Sequence, residues 1–247
     1  MTEQTAQGTR IAKFVARRGG PSRREVERLI EQGVVQVNGK TINSPVCFVQ
    51  DEDIVTIKGK AVADSEPARL WAFHKSTGCI TAEKDPEGRP TIYDFMPANM
   101  PRLMTVGRLD FNSEGLLLMT NDGALKRALE LPKNAVSRCY RVRVFGRVTQ
   151  ESLDRLAAGV VIDRVHYAPA IAEIDKIQGS NAWLSITLQE GKNREIRRMM
   201  EFLGYEVNRL IRTDYGPFAL KDQQPNTIVP IPQFYLKKSL QDLGIKL

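Results

Sequence analysis

An aspartate, a tyrosine and an arginine-bearing helix are the features of this 247-residue chain whose types and spacing suit them to chemistry. Asp110 ends the loop Val106-Gly107-Arg108-Leu109-Asp110, which lies between two apolar segments. A lone loop aspartate most often forms a turn or caps a helix, so its position alone leaves its role open. Tyr140 sits in SRCYRVRV, where alternation puts Tyr140, Val142 and Val144 on one side of a strand and Arg141, Arg143 and Phe145 on the other. In NREIRRMMEFLG, helical spacing groups Arg194, Arg197, Arg198 and Glu201 opposite an apolar stripe of Ile196, Met199, Met200 and Leu203. A carboxylate in a water-poor pocket tends to take up a proton unless a cation lies nearby, and Arg197 is the candidate cation for Asp110.

Other chemistries find little material. Cys47, Cys79 and Cys139 are odd in number and far apart, which suggests neither a disulfide framework nor a CxxC metal site. With only His74 and His166 besides, a histidine-rich metal centre is not expected, and Ser/His or Cys/His catalysis has few candidates. There is no GxGxxG or GxxxxGK[ST] loop, so nucleotide-cofactor readings are weak and no cofactor is expected. No apolar run approaches the roughly 18 residues of a membrane span, and residues 1–8 are polar without a signal-peptide core. A cytoplasmic protein off the membrane is the expectation.

The elements that must hold these residues read as an α+β chain in two domains, 9–63 and 68–240, joined by a linker containing Ser65, Glu66 and Pro67. The first is a helical pair on a small sheet. Ile11, Phe14 and Val15 mark one helix ending at Gly19-Gly20; Ser22 and Glu25 resemble a capping box for a second, whose stripe is Val26, Leu29 and Ile30. A strand at 34–37 runs into the Asn38-Gly39 turn, and 54–57 reads as a further strand. The second domain reads as mixed and mainly antiparallel. Strands are expected at 70–74, 115–120, 140–145, 182–188 and 207–212, with helices at 124–131, 150–158 and 194–203. Asn121-Asp122-Gly123 is a strand-to-helix turn.

Composition is that of an ordinary globular chain, at 42% hydrophobic and 26% charged. The net charge of +7 favours a polyanionic partner, and it is unevenly spread. Residues 10–28 hold seven basic side chains against Glu25 and Glu27, and residues 131–150 hold Lys133, Arg138, Arg141, Arg143 and Arg147 with no acid. The rest of the chain is net acidic. The two surpluses suggest an RNA path that uses both domains.

Two resemblances follow from these segments. RIAKFVARRGGPSRREVERLIEQGVVQVNGK is similar to the small RNA-binding module first seen in the ribosomal protein S-four family. GRLDFNSEGLLLMTNDG resembles the catalytic motif of bacterial rRNA pseudouridine synthases, in the branch that carries that module at its N-terminus. DPEGRPTIYDFMP, YRVRVFGRV and EGKNREIRRMMEFLGYEVNRLIRTDYG are most like the B-type members, which act on large-subunit 23S rRNA. The resemblance implies that Asp110 is the catalytic carboxylate, as nucleophile or base on the ribose. It implies further that Tyr140 stacks on the target uracil and helps remove its C5 proton, that Arg197 pairs with Asp110, and that Arg108 fills the space left by the flipped base. It also implies that Arg10, Lys13, Arg17, Arg18, Arg23, Arg24, Asn38 and Lys40 grip structured rRNA. The reaction consumes nothing, so no metal, nucleotide or redox cofactor is implied, and a monomer is expected. Residues 160–170 fit the family pattern less well, and the long basic C-terminal tail of some relatives is missing. The rivals are a catalytically silent rRNA-binding assembly factor on the same fold and an RNA methyltransferase, for which no glycine-rich nucleotide loop is found.

Overall fold

The computed structural model describes residues 8–246, which divide into two compact units. The first runs as far as Ala68 and includes the turn at Asn121–Gly123; the second holds Arg69–Thr120 and Ala124–Leu247.

In the first unit, strand β1 (Thr9–Arg10) leads into helices α1 (Ile11–Arg17) and α2 (Arg23–Glu31). Strands β2 (Val35–Val37), β3 (Lys40–Thr41), β4 (Phe48–Val49), β5 (Val55–Ile57) and β6 (Lys60–Ala61) follow. They form a sheet of order β3-β2-β5-β6 and a separate β1-β4 pair. The expected stripes close the core: Ile11, Phe14, Val15, Val26, Leu29 and Ile30 pack with Val35, Val49 and Val55. Gly20 is required by close approach, because a Cβ there would lie 2.6 Å from a Val15 methyl. The capping box is only half formed. Ser22 Oγ accepts from the Glu25 N–H at 3.3 Å, but the Glu25 carboxylate turns outward to Arg28 at 2.7 Å.

The second unit is built on a nine-stranded sheet. Its strands are β7 (Leu70–Lys75), β8 (Met104–Val106), β9 (Glu114–Thr120), β10 (Arg138–Phe145), β13 (Ile171–Gln178), β14 (Asn181–Leu188), β15 (Glu206–Tyr215), β16 (Phe218–Ala219) and β17 (Ile228–Pro230). The strands β11 (Val160–Ile162) and β12 (Val165–Tyr167) make a hairpin of their own. Helices α3 (Gly123–Glu130), α4 (Gln150–Asp154), α5 (Glu195–Phe202) and α6 (Gln233–Asp242) complete it. Sheet order is β13-β14-β10-β15-β9-β7-β17, with β8 on β9 and β16 on β15.

The sheet is antiparallel except at one seam. There β9 and β15 run parallel, pairing Glu114 with Ile211 and Gly115 with Arg212. Gly115 is essential to that contact: its φ is +110°, and a Cβ would lie 2.3 Å from the Arg212 carbonyl oxygen. Two buried clusters meet at the seam, one around Val142, Leu184, Met199 and Met200, the other around Trp71, Phe73, Leu109 and Leu117.

Every strand expected in the second unit is present, each starting or ending within a few residues of its expected place. The sequence reading passed over β8, the hairpin β11–β12, β13, β16, β17 and α6. Edge strand β13 reads Ile-Ala-Glu-Ile-Asp-Lys-Ile-Gln, its polar residues left exposed, which hides the alternation. The helix expected at 150–158 stops at Asp154, because residues 155–158 tighten into turns before Gly159.

Candidate active site

Asp110, Tyr140, Arg108 and Arg212 line one cavity of about 670 Å³ within the second unit, a volume in the range of small-ligand pockets. Its wall also includes Leu210, Arg138, the α3 residues Lys126 and Glu130, and the segment from Leu188 to Ile196.

The loop that carries Asp110 is bonded along its length by groups outside it. The Leu109 carbonyl accepts from Thr81 Oγ1 at 2.8 Å, the Phe111 carbonyl from the Gly78 N–H at 3.0 Å and the Asn112 carbonyl from Arg197 Nη2 at 2.9 Å. The Asp110 and Ser113 carbonyls both accept from Lys75 Nζ, at 3.0 and 2.9 Å. At the loop's entrance the Gly107 N–H donates to Glu130 Oε1 at 2.6 Å. Each carbonyl from 109 to 113 thus has a donor, which fixes where the Asp110 carboxylate stands.

Lys75 is the centre of this arrangement and was not singled out from the sequence. It ends the apolar strand β7, is fully buried, and gives its third N–H to the Ser76 carbonyl at 3.0 Å. Burial pulls its ammonium below the usual lysine range, while the neighbouring Cys79, Asp110 and Glu114 draw it back up. A lysine closing a strand that opens on the buried apolar run Leu70–Phe73 was the available signal, since lysine is rarely buried without a dedicated set of acceptors.

Arg197 sits beside the loop, but not as expected. It forms no ion pair with Asp110 among the described residues; its guanidinium bonds the carbonyls of Asn112 and Val207, the latter at 3.1 Å. Burial lowers its pKa, as does the like charge of Arg194, and the charge of Asp110 opposes both. The two groups interact through space, and Arg197 also holds the loop that carries its partner. Arg194 lies outside α5, at its N-cap, with φ of +52° and its side chain exposed, so the four-residue polar face is reduced to Arg197, Arg198 and Glu201.

Two more arginines continue what Arg197 begins. Arg209 makes a bidentate pair with Glu114, at 2.6 and 3.2 Å, and buried Arg212 donates from Nε to the Leu116 carbonyl at 2.7 Å. Arg197, Arg209 and Arg212 therefore reach positions 112, 114 and 116, alternate residues running from the Asp110 loop into β9. The sequence reading used none of this because the partners are some ninety residues apart.

Tyr140 lies across β10 from Arg212, at a bulge in the β10–β15 ladder, and packs against both buried clusters. Arg108 is exposed at the cavity rim. On the opposite wall, Glu195 Oε2 accepts from the Lys192 N–H at 2.9 Å and Oε1 is buried without a partner. Burial, reinforced by the adjacent Glu190 carboxyl, pushes Glu195 up to about 7. Burial acts the same way on Glu190, but the Ala168 N–H at 2.7 Å and the Lys192 ammonium bring it below the usual carboxylate range. Among the described residues no group of His, Cys, Asp and Glu side chains could hold a metal. His74 instead hydrogen-bonds through Nδ1 to the Gln223 carbonyl at 2.6 Å.

The basic residues of the first unit fall into two sets. Arg10, Lys13, Arg17, Arg23, Arg24 and Lys40 are exposed. Arg18 and Asn38 differ from these in being bonded within the fold. Arg18 lies 3.9 Å over the Phe14 ring, bonds the Asp51 carbonyl and pairs with Asp51 and Asp64. Asn38 has φ of +49° and closes its turn, donating to Asp53 at 2.7 Å and accepting from the Ile54 N–H at 3.0 Å. In the second basic surplus, Arg138 is buried over the Tyr215 ring and donates to its hydroxyl at 3.0 Å, and Arg141 stacks on Trp183.

Comparison with known proteins defines the class. The profile of the RNA pseudouridylate synthase family matches residues 69–202, and that of the S4 domain matches residues 9–55. The chain belongs to the RNA pseudouridine synthase family, whose members are isomerases, and carries an S4 RNA-binding domain ahead of the catalytic fold. It is 41% identical to an uncharacterized RNA pseudouridine synthase of Rickettsia felis, over 93% of this chain and 99% of that one. It is also 40% identical to ribosomal large subunit pseudouridine synthase B of Salmonella typhi, over 87% of this chain and 76% of the relative. A crystal structure of a pseudouridylate synthase superposes with a TM-score of 0.66 at 25% identity, covering 94% of this chain and all of the other. The resemblances noted in the sequence are borne out at the level of family and fold.

Proposed function

We propose that this enzyme isomerises a uridine of ribosomal RNA, in the large subunit, with Asp110 as the catalytic carboxylate. The observation that carries this reading is the loop of residues 109–113, whose every carbonyl has a donor and whose one acidic residue, Asp110, lines a cavity shared with Tyr140. Likeness to the large-subunit enzymes of Salmonella and Yersinia supports the choice of RNA.

In this reading the target uridine leaves the RNA stack, at a cost of a few kcal/mol, and Arg108 at the rim occupies the vacated space. The C1′–N1 bond breaks and its electron pair stays with the base. C1′ is compensated either by a carboxylate oxygen of Asp110 or by the electrons of a ribose C–H bond whose proton Asp110 removes. The detached uracil turns against Tyr140 and C5 bonds to C1′, displacing the Asp110 oxygen in the first case and, in the second, with Asp110 returning the proton to the ribose carbon. C5 then gives up its proton, with Tyr140 as the acceptor or relay, and N1 gains one. The Arg197 guanidinium, bonded to the Asn112 carbonyl, keeps the loop that carries Asp110 in place. Exposed arginines and lysines of the S4 domain supply phosphate contacts.

The test is pseudouridine mapping of rRNA from cells carrying wild type or Asp110→Asn. A large-subunit position is expected to revert to uridine in the variant, and turnover of the purified enzyme to fall by roughly 10⁴ with RNA binding kept. Modification that persists in the variant, with no other synthase covering the position, removes Asp110 from its role. Dependence confined to small-subunit RNA would reassign the substrate.

A further inference from the structure

We propose that Arg212 binds the target base: its free Nη2 donates a hydrogen bond to a carbonyl oxygen of the flipped uracil and stabilises the base once it has left the ribose. This rests on the reading that the uridine enters the cavity between Asp110 and Tyr140.

Arg212 is 2% exposed, yet it lines the cavity. Its Nε is spent on the Leu116 carbonyl at 2.7 Å, and the Tyr215 ring centroid stands 5.2 Å from the guanidinium carbon. Nη2 is buried and has no partner. A guanidinium N–H left unmet in the interior is costly, and here it lies directly across the β10–β15 ladder from Tyr140, the aromatic wall of the site.

The chemistry of the position selects the ligand. An RNA phosphate remains with the backbone at the cavity mouth, where Arg108, Lys192 and Arg194 are exposed. Only the flipped base travels inward to the strand floor. Uracil presents two carbonyl acceptors, O2 and O4, around one N3–H donor, and a guanidinium has donors only, so the contact is to a carbonyl. When the C1′–N1 bond breaks, the electron pair retained by the base spreads from N1 onto O2 and O4. A fixed donor at either oxygen becomes stronger as that charge develops, which is the condition for lowering the barrier.

The experiment uses the full chain and the rRNA segment whose modification depends on it, synthesised with uridine, 2-thiouridine or 4-thiouridine at the target; sulfur is the weaker acceptor. Single-turnover rates are measured for wild type, Arg212→Met, Arg212→Lys and Asp110→Asn. Arg212→Met is expected to slow the uridine substrate by about 10² with RNA affinity unchanged. One of the two thio substrates is expected to be slow with wild type already and to lose little more on Arg212→Met, a non-additivity that a merely structural arginine would not produce. Equal losses on all three RNAs, or an Arg212→Met enzyme as fast as wild type, overturn the proposal. If Arg212→Met fails to fold, equal wild-type rates on the three RNAs overturn it, and substrate-dependent loss in Arg212→Lys supports it. Asp110→Asn separates the two readings: turnover surviving in it defeats the role of Asp110, while the role of Arg212 is still read from the thio substrates.

Discussion

The Asp110 loop and the basic helices of the S4 domain treat their polar groups in opposite ways. In the loop, every carbonyl from 109 to 113 has a donor, two of them supplied by one fully buried lysine. On α1 and α2, the basic side chains Lys13, Arg17, Arg23 and Arg24 are exposed and form no ion pair among the described residues. Bond making needs an atom held in place to a fraction of an ångström. Phosphate binding works through a field that tolerates movement and rewards uncommitted charge. Each region has the organisation its task demands.

The strongest way to break the contrast is to loosen the loop. Lys75→Met removes the donor of three carbonyls, those of Ser76, Asp110 and Ser113. Turnover is expected to fall about 10²-fold, and stability by roughly 2–5 kcal/mol, for buried acceptors left unmet. Single-turnover kinetics beside denaturant unfolding checks both; a variant that keeps full turnover shows that the clamp is not needed.

Glu195 offers a smaller effect with a defined sign. In the folded chain its carboxyl titrates near 7, against an ordinary value of 4.5. Between those values the unfolded chain binds fewer protons than the folded one, so stability contributed by this group is present below about 4.5 and lost as pH rises through 7. Glu195→Gln, neutral throughout, is expected to be more stable than wild type by roughly 2 kcal/mol at pH 8, with the advantage shrinking toward pH 5. Melting curves at the two pH values decide it; a constant difference between the proteins rejects the titration.

The docking side of the contrast predicts the mildest changes. Arg23→Gln and Arg24→Gln should each weaken RNA binding and reduce the salt slope of log K by about 1, leaving turnover at saturating RNA unchanged. Arg18→Ala should leave that slope alone and cost about 0.5–1 kcal/mol of stability, since its guanidinium lies on Phe14 and its ion pairs are solvent-facing. A salt slope that falls as far for Arg18 as for Arg23 would erase the distinction between structural and docking arginines.

Much of the architecture was legible in the chain because short-range signals carry it. The stripes of α1, α2 and α5 and the alternation of β10 are local patterns of apolar spacing, and all are found packed as expected. What escaped depends on distant partners. Lys75 looks like the solvated end of a strand until the carbonyls of residues 110 and 113 arrive around it. Arg18 and Asn38 look like RNA ligands until Asp51, Asp53 and Asp64 occupy them. Arg197 looks like an ion-pair partner of Asp110, but its hydrogen bonds go to backbone oxygens, which have no sequence signature.

The parallel seam also bears on the order in which the enzyme is assembled. It joins residues 114–115 to 211–212, and β17 pairs residues 228–230 with 71–73 of β7 from still farther along the chain. Pairings so distant in the chain form slowly, because the intervening loop must close before the contacts reward it. The catalytic loop enters through β9, on one side of the seam, and Tyr140 and Arg212 belong to the other. A newly made chain would therefore acquire its short-range strand pairs before it acquires a working site, with activity arriving only when the distant strands pair.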